Sequence, residues 1–166
     1  MRESQIKVWL LDRIILFSFF SNLLIIDNTG KAVHETNSAS LPARSIFDKI
    51  SVFTPYTKSI NDSVLNYFKK ENITVNELTY FDIESDLDIG KVDEKYLFEV
   101  LSKIDLEDSE ALFVSCTALP VLSIIDKLEK KLNKVVLSSN QTLIWDSLNA
   151  INYKEKIDGF GKLFNS

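Results

Sequence analysis

Cys116, the only cysteine in the chain, stands inside Ala111-Leu-Phe-Val-Ser-Cys-Thr-Ala-Leu-Pro120, where an apolar run gives way to hydroxyl-bearing residues and a proline. Read as a strand passing into a helix, this segment puts the thiol beside unpaired backbone N–H groups and the positive end of a helix dipole. Both favour the thiolate, the nucleophilic form. The competing reading is a small core hydrophobe, since free cysteine is among the most buried residue types. Other chemistries have less to work with. His34 is the sole histidine and lies in a polar stretch far from Cys116, where it reads as a surface residue. No Cys/His cluster has metal-ligand spacing, so no metal is expected, and one cysteine cannot close an internal disulfide. The four glycines, Gly30, Gly90, Gly159 and Gly161, form no phosphate-cradling loop, which leaves nucleotide cofactors without support.

The elements that must position Cys116 follow from the apolar pattern. Lys49 to Thr54 reads as a short strand closed by Pro55-Tyr56, and Ile60, Val64, Leu65 and Phe68 then fall at helical spacing before Lys69-Lys70-Glu71. Thr74 to Phe81 alternates as a strand, Asp82 to Lys91 is a polar loop, and Asp93 caps a helix carrying Leu97, Val100, Leu101 and Ile104. A third strand, Ala111 to Ser115, leads through Cys116-Thr117 into a helix with Pro120 near its first turn and Val121 to Leu132 on its buried stripe. The fourth strand is Val135 to Ser138, and Ser139 or Asn140 can cap a last helix burying Leu143, Ile144 and Leu148.

Four strand–helix units with buried strands predict an α/β fold: a four-stranded parallel sheet, covered on both faces, forming a flavodoxin-like doubly wound half-domain. Ligands of such sheets bind outside the carboxyl ends of the strands. That rule gathers Thr54-Pro55-Tyr56, Asp82 to Asp86, Ser115-Cys116-Thr117 and Ser138 to Gln141 on one rim rich in hydroxyl, amide and thiol groups. Each has a plainer role available: Ser139 and Asn140 as caps, Pro55-Tyr56 as a turn, the aspartates as a solvated loop.

Composition narrows the partners. The net charge of −5 and the absence of a basic stripe with interleaved aromatics argue against nucleic acid; Lys127, Lys130, Lys131 and Lys134 read as a solvated helix face. Ile14 to Ile26 is a mostly apolar run of thirteen residues, short of the twenty or so that span a bilayer. It reads as a buried helix or strand pair rather than a membrane or export segment, and the expected compartment is the cytoplasm. Thr29-Gly30 marks a turn and Glu35 to Ser40 a linker. Residues 1–48 are therefore expected to form an atypical N-terminal segment, irregular or helical, and residues 49–166 the α/β domain.

From Ile50 to Phe164 the chain resembles the second half of the aspartate/glutamate racemase superfamily, in the branch of maleate cis-trans isomerases and arylmalonate decarboxylases. Five ordered segments carry the resemblance: Val52-Phe-Thr-Pro-Tyr56, Ile83 to Val92, Phe113-Val-Ser-Cys-Thr117, Leu132 to Gln141 with Trp145 after it, and Gly159-Phe-Gly-Lys-Leu-Phe164. The resemblance implies two similar α/β halves with a cofactor-free site between them, and a cysteine thiol working at a carbon next to a carboxylate. By it, Cys116 is the second-half catalytic cysteine, Tyr56 the active-site tyrosine, and the backbone of Thr117 and Ala118 a carboxylate binder; Asp86 and Asn140 join the substrate-binding set. The substrate implied is a small carboxylate or dicarboxylate.

Two positions depart from the isomerase pattern: Asp86 stands where an asparagine binds carboxylate, and Ala118 where another asparagine is common. Residues 1–48 are also too few for four strand–helix units and hold no cysteine, so a partner chain or a second copy is expected to supply the other half-site. The expected function is a maleate-isomerase-like isomerase or racemase. The alternatives are a truncated, non-catalytic remnant or binding module of the same fold, an arylmalonate-type decarboxylase, and an unrelated flavodoxin-like module.

Overall fold

The computed structural model describes residues 47–70 and 72–165, together with two short strands of the N-terminal segment. Those strands, β1 (Leu24–Ile26) and β2 (Ala32–Glu35), pair antiparallel with Ile25 opposite His34. The last three residues of the apolar run thus form a strand, paired with a segment beyond the run, and both His34 and Glu35, the latter read as the start of a linker, belong to the partner strand. The rest of that run, the Thr29-Gly30 turn and residues 36–40 lie outside the described residues. Among the described residues no helix is long and apolar enough to cross a membrane.

From Lys49 the chain builds the expected sheet. The order is β3 (Lys49–Thr54), α1 (Lys58–Lys70), β4 (Thr74–Tyr80), α2 (Asp86–Ile89), α3 (Glu94–Leu101) and β5 (Ala111–Val114). A 3-10 turn (Leu122–Ile124) leads to α4 (Ile125–Leu132), β6 (Val135–Ser138), α5 (Ser139–Ala150) and a closing 3-10 turn (Lys162–Asn165). All four strands are parallel and lie side by side as β4-β3-β5-β6.

The two inner strands, β3 and β5, are buried without alternation after Lys49 because both of their faces are covered. Val52, Phe53, Leu112, Phe113 and Val114 are buried, each contributing about 1.5–3 kcal/mol by leaving water. The edge strand β4 has only exposed and half-buried residues, alternating from Thr74 to Glu77. Aromatic edges lock the layers: Phe53 meets Phe81 at 4.8 Å between centroids, and Phe68 of α1 meets Phe113 of β5 at 6.0 Å. The chain leaves β3 for β4 on one side, then crosses back to β5 on the other. The carboxyl ends of β3 and β5 therefore flank the switch point, where open α/β sheets bind ligands.

Three local expectations are corrected. No helix begins at Cys116: residues 115–121 form a loop, and α4 starts at Ile125. The residue before a proline is driven out of the α region, so Leu119 cannot be helical ahead of Pro120; instead Leu119 and Val121 plug the core, and the Val121 N–H donates to the Leu119 carbonyl at 2.9 Å. The cap of α5 is Ser138, one residue earlier than expected, in a reciprocal capping box with Gln141. Ile60 and Ile144, assigned to buried stripes, are exposed. The Asp93 cap is present, its side chain accepting from the Tyr96 N–H at 2.9 Å.

Candidate active site

Tyr56 and Cys116 sit at the two strand ends that flank the switch point. β3 and β5 run in register with Phe53 opposite Val114, and the Ser115 N–H extends the ladder to the Phe53 carbonyl at 2.8 Å. Tyr56 follows Phe53 by three residues and Cys116 follows Val114 by two, and both are almost fully buried, at 4% and 3% exposure. The topology thus brings the two strand ends together, as the rim argument requires.

The turn that carries Tyr56 is tied from α1. Thr54 Oγ1 donates to Asn61 Oδ1 at 2.6 Å and accepts from the Tyr56 N–H at 3.3 Å, while Asn61 Nδ2 donates to the Tyr56 carbonyl at 3.0 Å. Asn61 is buried on the same helical face as Val64 and Phe68. Sequence reasoning passed over it, although its spacing of three and seven residues from that apolar pair was the signal. The neighbouring strand end is fastened to the same turn, with Phe81 N–H on the Thr54 carbonyl at 3.2 Å and Ile83 N–H on the Pro55 carbonyl at 2.8 Å.

The turn that carries Cys116 is tied from α5. The Cys116 N–H donates to Ser139 Oγ at 3.1 Å, and Asn140 Nδ2 donates to the Thr117 carbonyl at 3.0 Å. Cys116 has a φ of 124°, a backbone conformation natural to glycine and costing other residues about 1–3 kcal/mol. Such conformations persist only where the surroundings enforce them, and they concentrate at functional sites. A nucleophile on a strained turn at a strand end is a recurring way of holding a reactive side chain at the top of an α/β sheet. Beside it, the Ser115 hydroxyl is buried with no partner among the described residues.

The remaining expected residues frame this turn. The thiol does not feel a helix amino terminus of its own, since α4 begins nine residues later. The N–H groups of Thr117 and Ala118 take no acceptor from the described residues and are a turn's natural anion ligands. Helix α2 lies over the same loop: a Cβ placed on Gly90 would be 3.7 Å from the Asp86 carbonyl and 3.8 Å from the Ala118 carbonyl. Asp86, half-buried, therefore belongs to the segment packed against Ala118. Asn140 is half-buried and directs its amide donor to the Thr117 carbonyl rather than outward.

At the outer rim the charges pair locally. Asp62 accepts from Lys58 at 3.0 Å and raises that ammonium's pKa, and Lys91 donates to Asp88 at 2.8 Å and lowers that carboxyl's pKa. Among the described residues no cluster of His, Cys, Asp and Glu could hold a metal ion.

The sequence pattern of the family described as arylmalonate decarboxylase matches residues 31–164. The chain belongs to that family. Maleate isomerase of Geobacillus stearothermophilus is 27% identical over 118 residues, covering 70% of this chain and 47% of that protein. Among solved structures, the maleate isomerase Iso of Pseudomonas putida S16 superposes with a TM-score of 0.69 at 24% identity, over 74% of this chain and 50% of its own. A mutant Nocardia farcinica maleate cis-trans isomerase with a covalently bound succinylcysteine intermediate also reaches a TM-score of 0.69, at 18% identity, over 74% of this chain and 50% of its own. The chain spans about half the length of the relatives it matches. The arylmalonate decarboxylase fold thus extends across the whole described sheet, and the similarity to maleate isomerases covers the segment that carries Tyr56 and Cys116.

Proposed function

We propose that this chain carries the second-half thiol of a cofactor-independent isomerase of small dicarboxylates, of the maleate isomerase kind. The observation that carries the reading is the Cys116 turn: a buried thiol held at φ 124° on the strand end beside the Tyr56 strand end, at the sheet's switch point. The covalent succinylcysteine of the Nocardia relative, a cysteine-to-serine mutant, supports thiol addition to a four-carbon unsaturated diacid as chemistry of this fold.

In the proposed reaction the Cys116 thiolate adds to one alkene carbon of maleate. A C–S bond forms, the π bond breaks, and its electron pair passes to the neighbouring carbon and its carboxylate. The former double bond is now single and rotates; a proton taken from solvent at the neighbouring carbon gives the succinyl adduct, and loss of a proton from that carbon with expulsion of the thiolate restores the alkene in the trans geometry. Tyr56 donates a hydrogen bond to a carboxylate, and the N–H groups of Thr117 and Ala118 receive the charge that develops on it. The opposite wall comes from a partner chain or a second copy. Exposed Ile60, Tyr80, Leu87 and Tyr96 lie at the carboxyl-end rim, with Leu87 at 79% exposure, and suit a covered face better than open water.

The test follows maleate conversion and α-carbon proton exchange in the intact chain and in Cys116→Ser, with mass spectrometry for a succinyl adduct on Cys116. Adduct formation faster than on a free thiol, and exchange lost in Cys116→Ser, are expected. Equal behaviour of the two chains, with no accelerated adduct, would remove the enzymatic reading and leave a binding module of the same fold. The match to the arylmalonate decarboxylase pattern favours a second reading, loss of carbon dioxide from an aryl malonate, which the same chains report by gas release.

A further inference from the structure

We infer that Ser139 is a positioning residue for Cys116, the side chain that holds the thiol-bearing turn out of ordinary strand geometry. The inference takes the thiol of the proposed function as the group being positioned. Its starting point is the ladder between β5 and β6. The last paired residues are Val114 and Ser138, after which the chain on the β6 side turns directly into α5. No strand carbonyl continues alongside Cys116, so the ladder cannot take its N–H. The Ser139 hydroxyl takes it instead, at 3.1 Å.

A side-chain acceptor differs from a ladder carbonyl in what it permits. A carbonyl would hold Cys116 in extended backbone and send its side chain into the alternation of β5. The hydroxyl, set on the first residue of a helix, meets the N–H while the peptide rotates to φ 124°. Ser139 is 2% exposed, so water has no room to substitute for it. Its own position is firm: the Ser138–Gln141 capping box closes the first turn, and Gln141 Nε2 ties that turn to the Phe160 carbonyl. Ser115 on the β3 side and Asn140 on the Thr117 carbonyl fix the two flanks of the turn, and Ser139 alone addresses the cysteine's N–H in that set.

Removing the hydroxyl takes this acceptor from a buried N–H, and the turn relaxes to compensate. The thiol then changes its exposure and surroundings, and with them its reactivity. Because Cys116 is the only cysteine, every alkylation event reports on it. The experiment measures iodoacetamide alkylation of the intact chain across pH for the wild type, Ser139→Ala and Ser139→Thr, with circular dichroism confirming the fold.

Ser139→Ala is expected to raise the plateau rate by roughly threefold to tenfold, the range one hydrogen bond represents, and to move the profile's midpoint. Ser139→Thr, which keeps the hydroxyl, is expected to follow the wild type. Superimposable profiles for the wild type and a folded Ser139→Ala would overturn the inference. Should Ser139→Ala fail to fold, amide exchange of Cys116 in the wild type decides: strong protection supports the bond, and exchange at the rate of an open chain refutes it. Alkylation does not require turnover. Altered reactivity without Cys116-dependent proton exchange would therefore keep the positioning role and remove the isomerase reading, and unaltered reactivity with such exchange would do the reverse.

Discussion

The φ of 124° at Cys116 makes a quantitative prediction that separates backbone from side chain. Replacing Cys116 by alanine or by glycine removes the same sulfur from the same buried position; glycine also removes the Cβ, a buried group worth about 0.8 kcal/mol. The other difference is the backbone. At an ordinary site glycine is less stable than alanine by about 0.5–1 kcal/mol, because its unfolded chain has more freedom to lose. At φ 124° alanine bears a conformational cost of about 1–3 kcal/mol that glycine escapes. The central values put Cys116→Gly above Cys116→Ala by about 0.5 kcal/mol, whereas at an ordinary buried site glycine would lie about 1–2 kcal/mol below. For a chain of 166 residues that is a difference in Tm of about 2–4 °C per kcal/mol. Urea and thermal unfolding followed by far-UV circular dichroism measure it, with Ala111→Gly as the control: Ala111 is equally buried, lies at the start of β5 and is not among the positive-φ residues. If Cys116→Ala proves more stable than Cys116→Gly by the ordinary margin, Cys116 has ordinary backbone geometry, and the strained-turn account of the site falls.

Further outcomes follow from the packing around α5 and the rim. A methyl group on Gly161 would lie 2.6 Å from Ile125 Cγ2 and 3.0 Å from Gln141 Nε2, whereas one on Gly159 would meet nothing within 4 Å, at nearly the same positive φ. Gly161→Ala should therefore cost at least about 2 kcal/mol and Gly159→Ala only about 1, in paired urea titrations; equal costs would contradict the close approach. Buried Glu129 accepts from the Val136 N–H at 3.0 Å and the Lys162 N–H at 2.8 Å. Glu129→Gln exchanges one acceptor for a donor and should lose about 1–3 kcal/mol, and a neutral result would show that the tail is not held this way. Asp86→Asn removes a negative charge from the segment packed on the Ala118 loop and should tighten succinate binding by roughly tenfold or more in calorimetry. Weaker or unchanged binding would place the dianion elsewhere.

The layout of strands and helices was legible because it rests on repeated signals. The bounds of β3 and β6 emerge as read, since each is a short apolar-rich run between polar or turn-forming breaks. The start of α3 was legible because Asp93 declares it as a cap, whereas Asn133, which closes α4 in the left-handed conformation at φ 53°, went unread although asparagine is a usual residue there. What was not legible depends on single contacts between distant residues. Nothing in Val-Ser-Cys-Thr announces a positive φ at a cysteine, because the bond that enforces it comes from Ser139, 23 residues away. Helix α2 was missed for a different reason: four residues are too few to show a period, and only the burial of Ile89 marks it. The loop after Cys116 was misread although its signal was present, since Pro120 restricts Leu119 whatever the apolar stripe downstream suggests.

One construction recurs on both sides of the switch point and accounts for where the polar residues had to be. Each strand end that enters the candidate site leaves its ladder, and the backbone groups so released are buried and cannot be left unpaired. At the β3 end Asn61, on the first turns of α1, meets the Tyr56 carbonyl and Thr54; at the β5 end Ser139 and Asn140, on the first turn of α5, meet the Cys116 N–H and the Thr117 carbonyl. Helix first turns suit this task because they stand at the carboxyl-end rim, rigid and adjacent to the strand ends. Loop-borne partners would move with the loops they held. Side chains rather than backbone groups make the contacts, so each turn can adopt a geometry that no ladder would allow. The hydrogen bonds described for the thiol turn accordingly arise within the described sheet and its helices.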